Sequence, residues 1–141
     1  MEIKLFKDIK QNMDTPTVHR IISYASFDST PTGIQKVVNK YRNSDNLHFY
    51  AWIKNEEVLG ICGFEEHLDK IEVHLISVDE DVRGKGIGRK MIIQLQEMYN
   101  KDIEAETDDD AIDFYRKCGF DVNSFTHPKK GKRWTCILRK Q

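Results

Sequence analysis

Eight residues in the middle of the chain read Val82-Arg83-Gly84-Lys85-Gly86-Ile87-Gly88-Arg89 and lie between a run of strand character and a run of helical character. The three glycines stand at alternate positions, so the backbone can approach a ligand closely and turn its N–H groups toward it. The helix that follows begins with amides that have no intrahelical acceptor, and such a helix end attracts anions. Arg83, Lys85 and Arg89 add positive charge. The stretch therefore predicts a binding site for a diphosphate.

Two common phosphate-binding motifs do not match this loop. A P-loop has a Lys followed by Ser or Thr after its last glycine, whereas Gly88 is followed by Arg89 and Lys90. A dinucleotide fingerprint has glycines at its first, third and sixth positions, and counted from Gly84 the sixth residue is Arg89. A plain glycine-rich turn with solvated charges remains the alternative to a ligand site.

The segments on either side of the loop have clear periodicity. Before it, three runs rich in β-branched and aromatic residues occur at Leu47–Lys54, Val58–Glu66 and Lys70–Val78. Their short polar separators predict an antiparallel meander. After the loop, apolar residues recur at helical spacing over Ile87–Tyr99, and a short strand follows at Ile103–Thr107. This strand, helix and strand predict a right-handed crossover between parallel strands.

The two ends of the chain complete an α/β pattern. Glu2–Asp8 has weak strand character. Thr15-Pro16 and Thr30-Pro31 each combine an N-cap residue with a first-turn proline, so a helix is predicted after each pair. Toward the carboxyl terminus the pattern predicts one helix and two strands, at Ala111–Cys118, Val122–Thr126 and Arg133–Arg139.

The composition excludes several classes of protein. The 141 residues are 39% apolar and 32% charged, which is typical of a globular fold. The 22 basic and 23 acidic side chains nearly balance, so the basic excess of a nucleic-acid-binding protein is missing. No apolar run is long enough to cross a membrane, and the amino terminus lacks the pattern of a secretory signal. We expect a cytoplasmic protein that binds neither nucleic acid nor membrane.

The cysteines and histidines indicate neither a disulfide framework nor a metal site. Cys62, Cys118 and Cys136 are an odd number without close spacing. Cys62 and Cys136 lie in apolar runs, where a reduced cysteine behaves as a small hydrophobic residue. The five histidines show no spacing typical of metal ligands, so no metal is expected.

Two motifs together resemble the Gcn5-related N-acetyltransferase (GNAT) family. Motif A of that family reads Arg or Gln, two residues, Gly, one residue, then Gly or Ala, and Arg83, Gly86 and Gly88 fill this pattern. About 25 residues later, Asp110–Phe120 (DAIDFYRKCGF) is similar to the family's Ala-x-x-Phe-Tyr-x-x-x-Gly-Phe helix. The resemblance covers the chain from roughly residue 47 to residue 120.

The resemblance implies both a fold and an activity. The implied fold is α/β (α+β), a single domain over residues 1–141 with a mixed, mostly antiparallel central sheet of six to seven strands and helices on both faces. The implied activity is N-acetyl transfer to a primary amine by direct attack in a ternary complex, with acetyl-CoA (coenzyme A) as co-substrate. A coenzyme A-binding sensor without turnover and an ATP-binding module are the alternatives.

The resemblance also implies a set of coenzyme A contacts. The loop amides would hold the diphosphate, and the end of the preceding strand would pair with the pantetheine arm. Asp108 stands where the family often has Asn, and Tyr115 stands at the family's tyrosine. The implied cofactor-binding residues are Ile76, Ser77, Val78, Arg83, Gly84, Lys85, Gly86, Ile87, Gly88, Arg89, Asp108 and Tyr115.

Acyl transfer to an amine requires an acid and a base. The departing thiolate gains from protonation, and Tyr115 is the candidate general acid, with core packing as its alternative role. The ammonium, whose ordinary pKa is about 10, must lose a proton before attack. Glu72 and His74 share the polar face of a strand whose apolar residues are Ile71, Val73 and Leu75, so either is a candidate base. Ion pairing on an exposed sheet face is the alternative.

The next strand extends this polar face. Glu104 and Glu106 share one side of it, and together with Glu72 they predict an acidic wall suited to a cationic amine. The sequence does not distinguish a small-molecule acceptor from a peptide amine. A homodimer is one option for the assembly.

Overall fold

The computed structural model describes residues 4–141, which form seven strands and four α-helices. In chain order these are β1 (Lys4–Asp8), α1 (Pro16–Ser23), α2 (Pro31–Arg42), β2 (Leu47–Lys54), β3 (Glu57–Glu66), β4 (Lys70–Val78), α3 (Ile87–Tyr99), β5 (Asp102–Thr107), α4 (Ile112–Lys117), β6 (Asp121–His127) and β7 (Gly131–Leu138). A 3-10 turn at Glu80–Val82 joins β4 to the glycine loop. Of the strand predicted at Glu2–Asp8, residues 2 and 3 lie outside the described residues, and the remainder is confirmed.

Both leading helices begin as their sequence predicts. Thr15 Oγ1 accepts a hydrogen bond from Val18 N at 3.2 Å, and Thr30 Oγ1 accepts one from Gly33 N at 3.1 Å. In each helix the proline follows the cap, at a position where a backbone N–H would have no intrahelical acceptor and its absence costs no hydrogen bond. Within residues 4–141 no helix is long and apolar enough to cross a bilayer.

The seven strands form one mixed sheet in the order β1-β2-β3-β4-β5-β7-β6. Strands β4 and β5 are parallel, and every other neighbouring pair is antiparallel. The parallel pair is joined through α3, since a parallel connection needs a crossover. The predicted fold class is therefore confirmed.

Helices cover the sheet on both sides and enclose two apolar clusters. We call the side packed by α1 and α2 the α1–α2 face, and the side packed by α3 and α4 the α3–α4 face. Alternate residues of β2 point to opposite sides of the sheet. Phe49 belongs to the cluster on the α1–α2 face, and Tyr50 packs against the cluster on the α3–α4 face. All three cysteines are free, and Cys62 and Cys136 are buried as predicted.

The helix of the second motif is shorter than predicted. It begins at Ile112, and Ala111 is an exposed N-cap residue rather than part of the buried face. Its end matches the prediction, because Gly119 has a positive φ of 91° and Phe120 N donates to Tyr115 O at 3.1 Å. The rings of Tyr115 and Phe120 meet edge to face, with centroids 5.2 Å apart.

Candidate active site

A β-bulge at His74 interrupts the pairing of β3 with β4. Phe64 pairs with Val73 and Gly63 pairs with Leu75, so His74 has no partner in the register. An extra residue of this kind bends the strand and shifts the side chains beyond it to the opposite face. The bulge therefore changes which residues of β4 face each side of the sheet.

The predicted alternation of Ile71, Val73 and Leu75 on one face is wrong at its last member. Ile71 and Val73 belong to the cluster on the α3–α4 face, whereas Leu75 packs against the α1–α2 face. The bulge is the reason, because a strict period of two holds only while the pairing is regular.

Strands β4 and β5 separate just beyond the same point. Their parallel pairing ends at Val73 with Ala105, although β4 continues to Val78 and β5 to Thr107. The two strands therefore leave an opening, which we call the strand gap, in the middle of the sheet.

The backbone of β4 presents polar groups to the strand gap. Asp79 N donates to Leu59 O of β3 at 2.8 Å, so Ser77, two residues earlier, also directs its backbone toward β3. The backbone groups of Ile76 and Val78 consequently face the gap. Ser77 is also buried. Of the three strand residues predicted to bind the cofactor, Ile76 and Val78 are therefore the two whose backbone groups face the gap.

The glycine loop lies directly after this strand end. Gly84 and Gly86 both have a φ of 80°, and a Cβ atom at either position would meet no other atom within 4 Å. Gly86 is the N-cap of α3 and offers no side chain to bond the helix amides. The first intrahelical bond runs from Lys90 N to Gly86 O, so the N–H groups of Ile87, Gly88 and Arg89 have no intrahelical acceptor. Open space beside unpaired amides fits a diphosphate.

Gly88 has a different structural role. A Cβ atom there would lie 2.7 Å from Phe114 Cε1, so this glycine lets α3 approach α4 closely. The helix of motif A and the helix of the second motif are thus held together at the loop.

The three cations predicted at the loop are not equivalent. Arg83 Nε donates to Val78 O at 3.2 Å, and the guanidinium lies 4.8 Å from the centre of the Tyr24 ring. Lys85 and Arg89 are exposed, and neither forms an ion pair with any part of the chain from residue 4 onward. Arg83 therefore stabilises the end of β4, while Lys85 and Arg89 have no ion-pair partner among the described residues and can contact an anion.

An ion pair that sequence reasoning missed ties α1 to the loop. Arg20 Nη2 lies 2.8 Å from Asp79 Oδ2, and only 7% of the Asp79 side chain is exposed. The hydrogen bond from Arg20 holds the pKa of Asp79 below its usual range. The two residues are far apart in sequence, and no local pattern could have paired them.

Tyr115 lies beneath the sheet on the α3–α4 face. It is 6% exposed and belongs to the buried cluster of that face. Burial raises the pKa of its hydroxyl well above the ordinary value, and the nearby thiols of Cys62 and Cys136 act in the same direction. Cys62 is on β3, which pairs with β4, and Cys136 is on β7, which pairs with β5, so Tyr115 lies beneath the middle of the sheet. It is a protonated group there.

The predicted acidic residues share the α1–α2 face. Glu72 pairs with Glu104 in the parallel register, and their neighbours Ile71 and Ile103 are buried on the other face. Each acid has a cationic or imidazole partner rather than standing alone. The partner distances are 3.0 Å for Glu72 with His67, 2.6 Å for Glu104 with Lys70 and 3.1 Å for Glu106 with Arg133.

Glu65 also joins this face and was not predicted. Its Oε1 lies 3.2 Å from Nε2 of His74, so the bulge residue is held by a carboxylate on β3. The ligand atoms of Glu65, His67 and Glu72 lie within 4.8 Å of one another, a grouping that the spacing of the histidines did not indicate. Strand pairing creates it, because Glu65 and Glu72 are opposite each other in the register.

Asp108 is occupied by its own chain. Its Oδ1 accepts hydrogen bonds from Asp110 N at 3.0 Å and from Ala111 N at 3.1 Å. The neighbouring Asp109 accepts from Trp134 Nε1 at 2.7 Å, a bond that lowers the pKa of Asp109. Asp108 thus stabilises the turn before α4 and does not cap the helix, because the N-cap is Ala111 and no side chain of residues 4–141 bonds the first helix amides.

An open cleft lies against the bulge on the α1–α2 face. Its volume is about 380 Å³, and His74 and Leu75 form the side that belongs to the sheet. The opposite side comes from α2 and from the segment between α1 and α2, where Phe27 is fully exposed. The cleft and the glycine loop therefore meet β4 at different points, one at the bulge and one beyond the strand end.

Together these features define a mixed α/β domain that can hold an extended anionic ligand beside a strand gap. A family model described as the Acetyltransferase (GNAT) family matches residues 17–120, which is most of the chain. The chain belongs to this acetyltransferase family, as its two motifs indicated.

Individual relatives are distant in sequence, and the solved structures among them are similar in fold. An N-acetyltransferase of Bacillus methanolicus, described as uncharacterized and encoded in the lysA 3′ region, is 25% identical over 101 residues, covering 70% of this chain and 82% of its own. A GNAT-family crystal structure from Desulfovibrio desulfuricans has a TM-score of 0.76 at 16% identity, covering 97% of this chain and 99% of its own. An aminoglycoside 6′-N-acetyltransferase complexed with coenzyme A has a TM-score of 0.72 at 13% identity, covering 96% of each chain.

Proposed function

We propose that this protein transfers the acetyl group of acetyl-coenzyme A to a primary amine by direct attack in a ternary complex. The amine nitrogen bonds to the thioester carbonyl carbon, the carbon–sulfur bond breaks, and the acetyl group is left on nitrogen as an amide. Of the two protons that the ammonium loses, one ends on the departing sulfur and the other is released to solvent. Holding the two reactants in one site supplies much of the acceleration.

The observation that carries this proposal is the strand gap beside the amide-lined loop. In the proposal, the amides from Gly84 to Arg89 bind the coenzyme A diphosphate, with Lys85 and Arg89 adding charge. The backbone groups of Ile76 and the N–H of Val78, whose carbonyl accepts from Arg83, bond the amides of the pantetheine arm, which extends along β4 like an added strand. The coenzyme A complex of the structurally similar aminoglycoside acetyltransferase supports this choice of ligand.

The candidate acid and base lie on opposite faces of the sheet. Tyr115, whose burial keeps the phenol protonated, gives its proton to the leaving sulfur and then takes up one of the two protons that the amine loses. We assign the role of base to His74, because it occupies the bulge where β4 leaves β5 and lines the cleft. Glu72 lies where the two strands are still paired and is already bonded to His67. Acetyl transfer thus runs from the gap toward the α1–α2 face.

Thiol release in the presence of different amines tests this function. We expect acetyl-coenzyme A to yield free coenzyme A only when a suitable amine is added, and coenzyme A to raise the thermal midpoint much more than ATP does. Tight coenzyme A binding without thiol release on any amine of a broad panel would favour a sensor. Stabilisation by ATP and not by coenzyme A would contradict the assignment of the loop.

A further inference from the structure

The cleft on the α1–α2 face has a charged wall that the proposed acetyl transfer does not itself require. Lys36 and Lys40 line it from α2. They are four residues apart, so they project from the same side of the helix one turn from each other. Both are exposed, and neither has an ion-pair partner among residues 4–141. Two lysines without an ion-pair partner in the described part of the chain therefore line the same cleft.

The carboxylate that lines the cleft together with these lysines is Asp28, and it is already engaged. Asp28 Oδ1 accepts from Thr30 N at 3.0 Å and from Thr30 Oγ1 at 2.6 Å, in the turn that begins α2. Lys36 is close enough to lower the pKa of Asp28 further, but its nitrogen does not come within ion-pair distance. This wall of the cleft remains positive overall, because two lysines face one bonded carboxylate.

Among the described residues, the side of the cleft formed by the sheet lacks lysines and carries a histidine bonded to a carboxylate. His74 lines it, and Glu65 holds the His74 ring at 3.2 Å. Glu72 pairs with Glu65 across the same strands. A ligand lying across the cleft would thus meet an imidazole backed by a carboxylate at the sheet and two lysines at α2.

We propose that the acceptor is a small amine that also carries a carboxylate, which binds between Lys36 and Lys40 while the amine points toward His74. This inference rests on the proposed function, since it names the substrate class of that site. The apolar lining of Val37, Leu75 and the exposed Phe27 contacts the part of the acceptor between its two charges. An amine of the same size without a carboxylate keeps the contact with His74 and lacks the contact with the two lysines.

Paired substrates test the proposal. The assay measures thiol release from acetyl-coenzyme A with 4-aminobutyrate against 4-aminobutanamide, and with L-phenylalanine against L-phenylalaninamide. The first pair keeps the amine far from the altered group, so the ionisation of the amine changes little. We expect kcat/KM to be at least about tenfold higher for the carboxylate of a productive pair, the size of one charge-assisted hydrogen bond. High salt should reduce that preference.

Variants of the two lysines locate the effect. The double substitution Lys36→Gln with Lys40→Gln should bring the ratio of carboxylate to amide activity close to one. Lys140→Gln, which removes an exposed lysine outside the cleft, should leave the ratio at its wild-type value. A circular dichroism spectrum and the coenzyme A affinity show that the double variant is folded and still binds its co-substrate.

The outcomes separate this inference from the function on which it rests. Equal activity on carboxylates and amides, or a preference that survives the double substitution, would overturn the inference and leave the acetyltransferase intact. Absence of thiol release with every amine, charged or neutral, would instead contradict the proposed function.

Discussion

Replacing Gly86 by valine separates ligand binding from folding. Gly86 has a φ of 80°, and a side chain there would point into open space rather than into the protein. The same is true of Gly131, which has a φ of 74° and no atom within 4 Å of its Cβ position. Gly131 begins β7 in the hairpin with β6, far along the chain from the loop. It is therefore a matched control for the backbone effect of the substitution.

The two effects have different sizes. Forcing a residue with a Cβ atom into the left-handed region costs about 1–2 kcal/mol, so each variant should lose roughly 3–8 °C of thermal stability. At Gly86 the side chain would also fill the space beside the helix amides. Losing two hydrogen bonds to a charged diphosphate, at about 1.5–3 kcal/mol each, predicts coenzyme A affinity lower by a factor of roughly 100 or more.

Titration calorimetry with coenzyme A, together with thermal unfolding, measures both quantities. We expect Gly86→Val and Gly131→Val to unfold at similar temperatures, while only Gly86→Val loses affinity. Wild-type affinity in Gly86→Val would refute the assignment of the loop. An equal loss of affinity in both variants would show that backbone strain, and not occupation of the diphosphate site, is responsible.

Four further substitutions test the site and the ion pair beside it. Tyr115→Phe should lower kcat about 100-fold with little change in coenzyme A affinity, and an unchanged kcat would leave Tyr115 a packing residue. His74→Gln should lower kcat more than Glu72→Gln does; the reverse order in steady-state kinetics would move the base to Glu72. Asp79→Asn should lose about 1–3 kcal/mol in urea unfolding at pH 7. Arg20 lowers the pKa of Asp79, so this ion pair stabilises the fold fully above the unfolded-state pKa of about 4. The stabilisation is lost as the pH falls through the lower folded-state pKa. The difference in unfolding free energy between the wild type and Asp79→Asn should therefore shrink at about pH 3.

The bulge at His74 links several of these observations. It moves Leu75 to the α1–α2 face, gives His74 a place on the cleft, and comes at the point where β5 stops pairing with β4. One additional residue in one strand therefore coincides with the start of the strand gap and places His74 on the wall of the cleft. Bulges of this kind commonly re-aim side chains beside active sites.

Local patterns predicted the elements with good accuracy. Thr15 and Thr30 cap the two leading helices because an N-cap needs only a hydroxyl three residues before the amide that it accepts from. Gly119 ends α4 because the cap needs a positive φ. The loop from Gly84 to Arg89 was recognised for the same reason, since glycine spacing and a helix start are both local.

The sequence by itself determined the family, the order of strands and helices, and the loop that offers amides to an anion, because each depends on residues within a few positions of one another. Only the tertiary structure decided where β4 leaves β5, that Arg20 meets Asp79, that Glu65 holds His74, and that Lys36 and Lys40 face the cleft. These contacts join residues that are distant in sequence, and their geometry follows from strand register and helix packing, which the local pattern of residues does not specify.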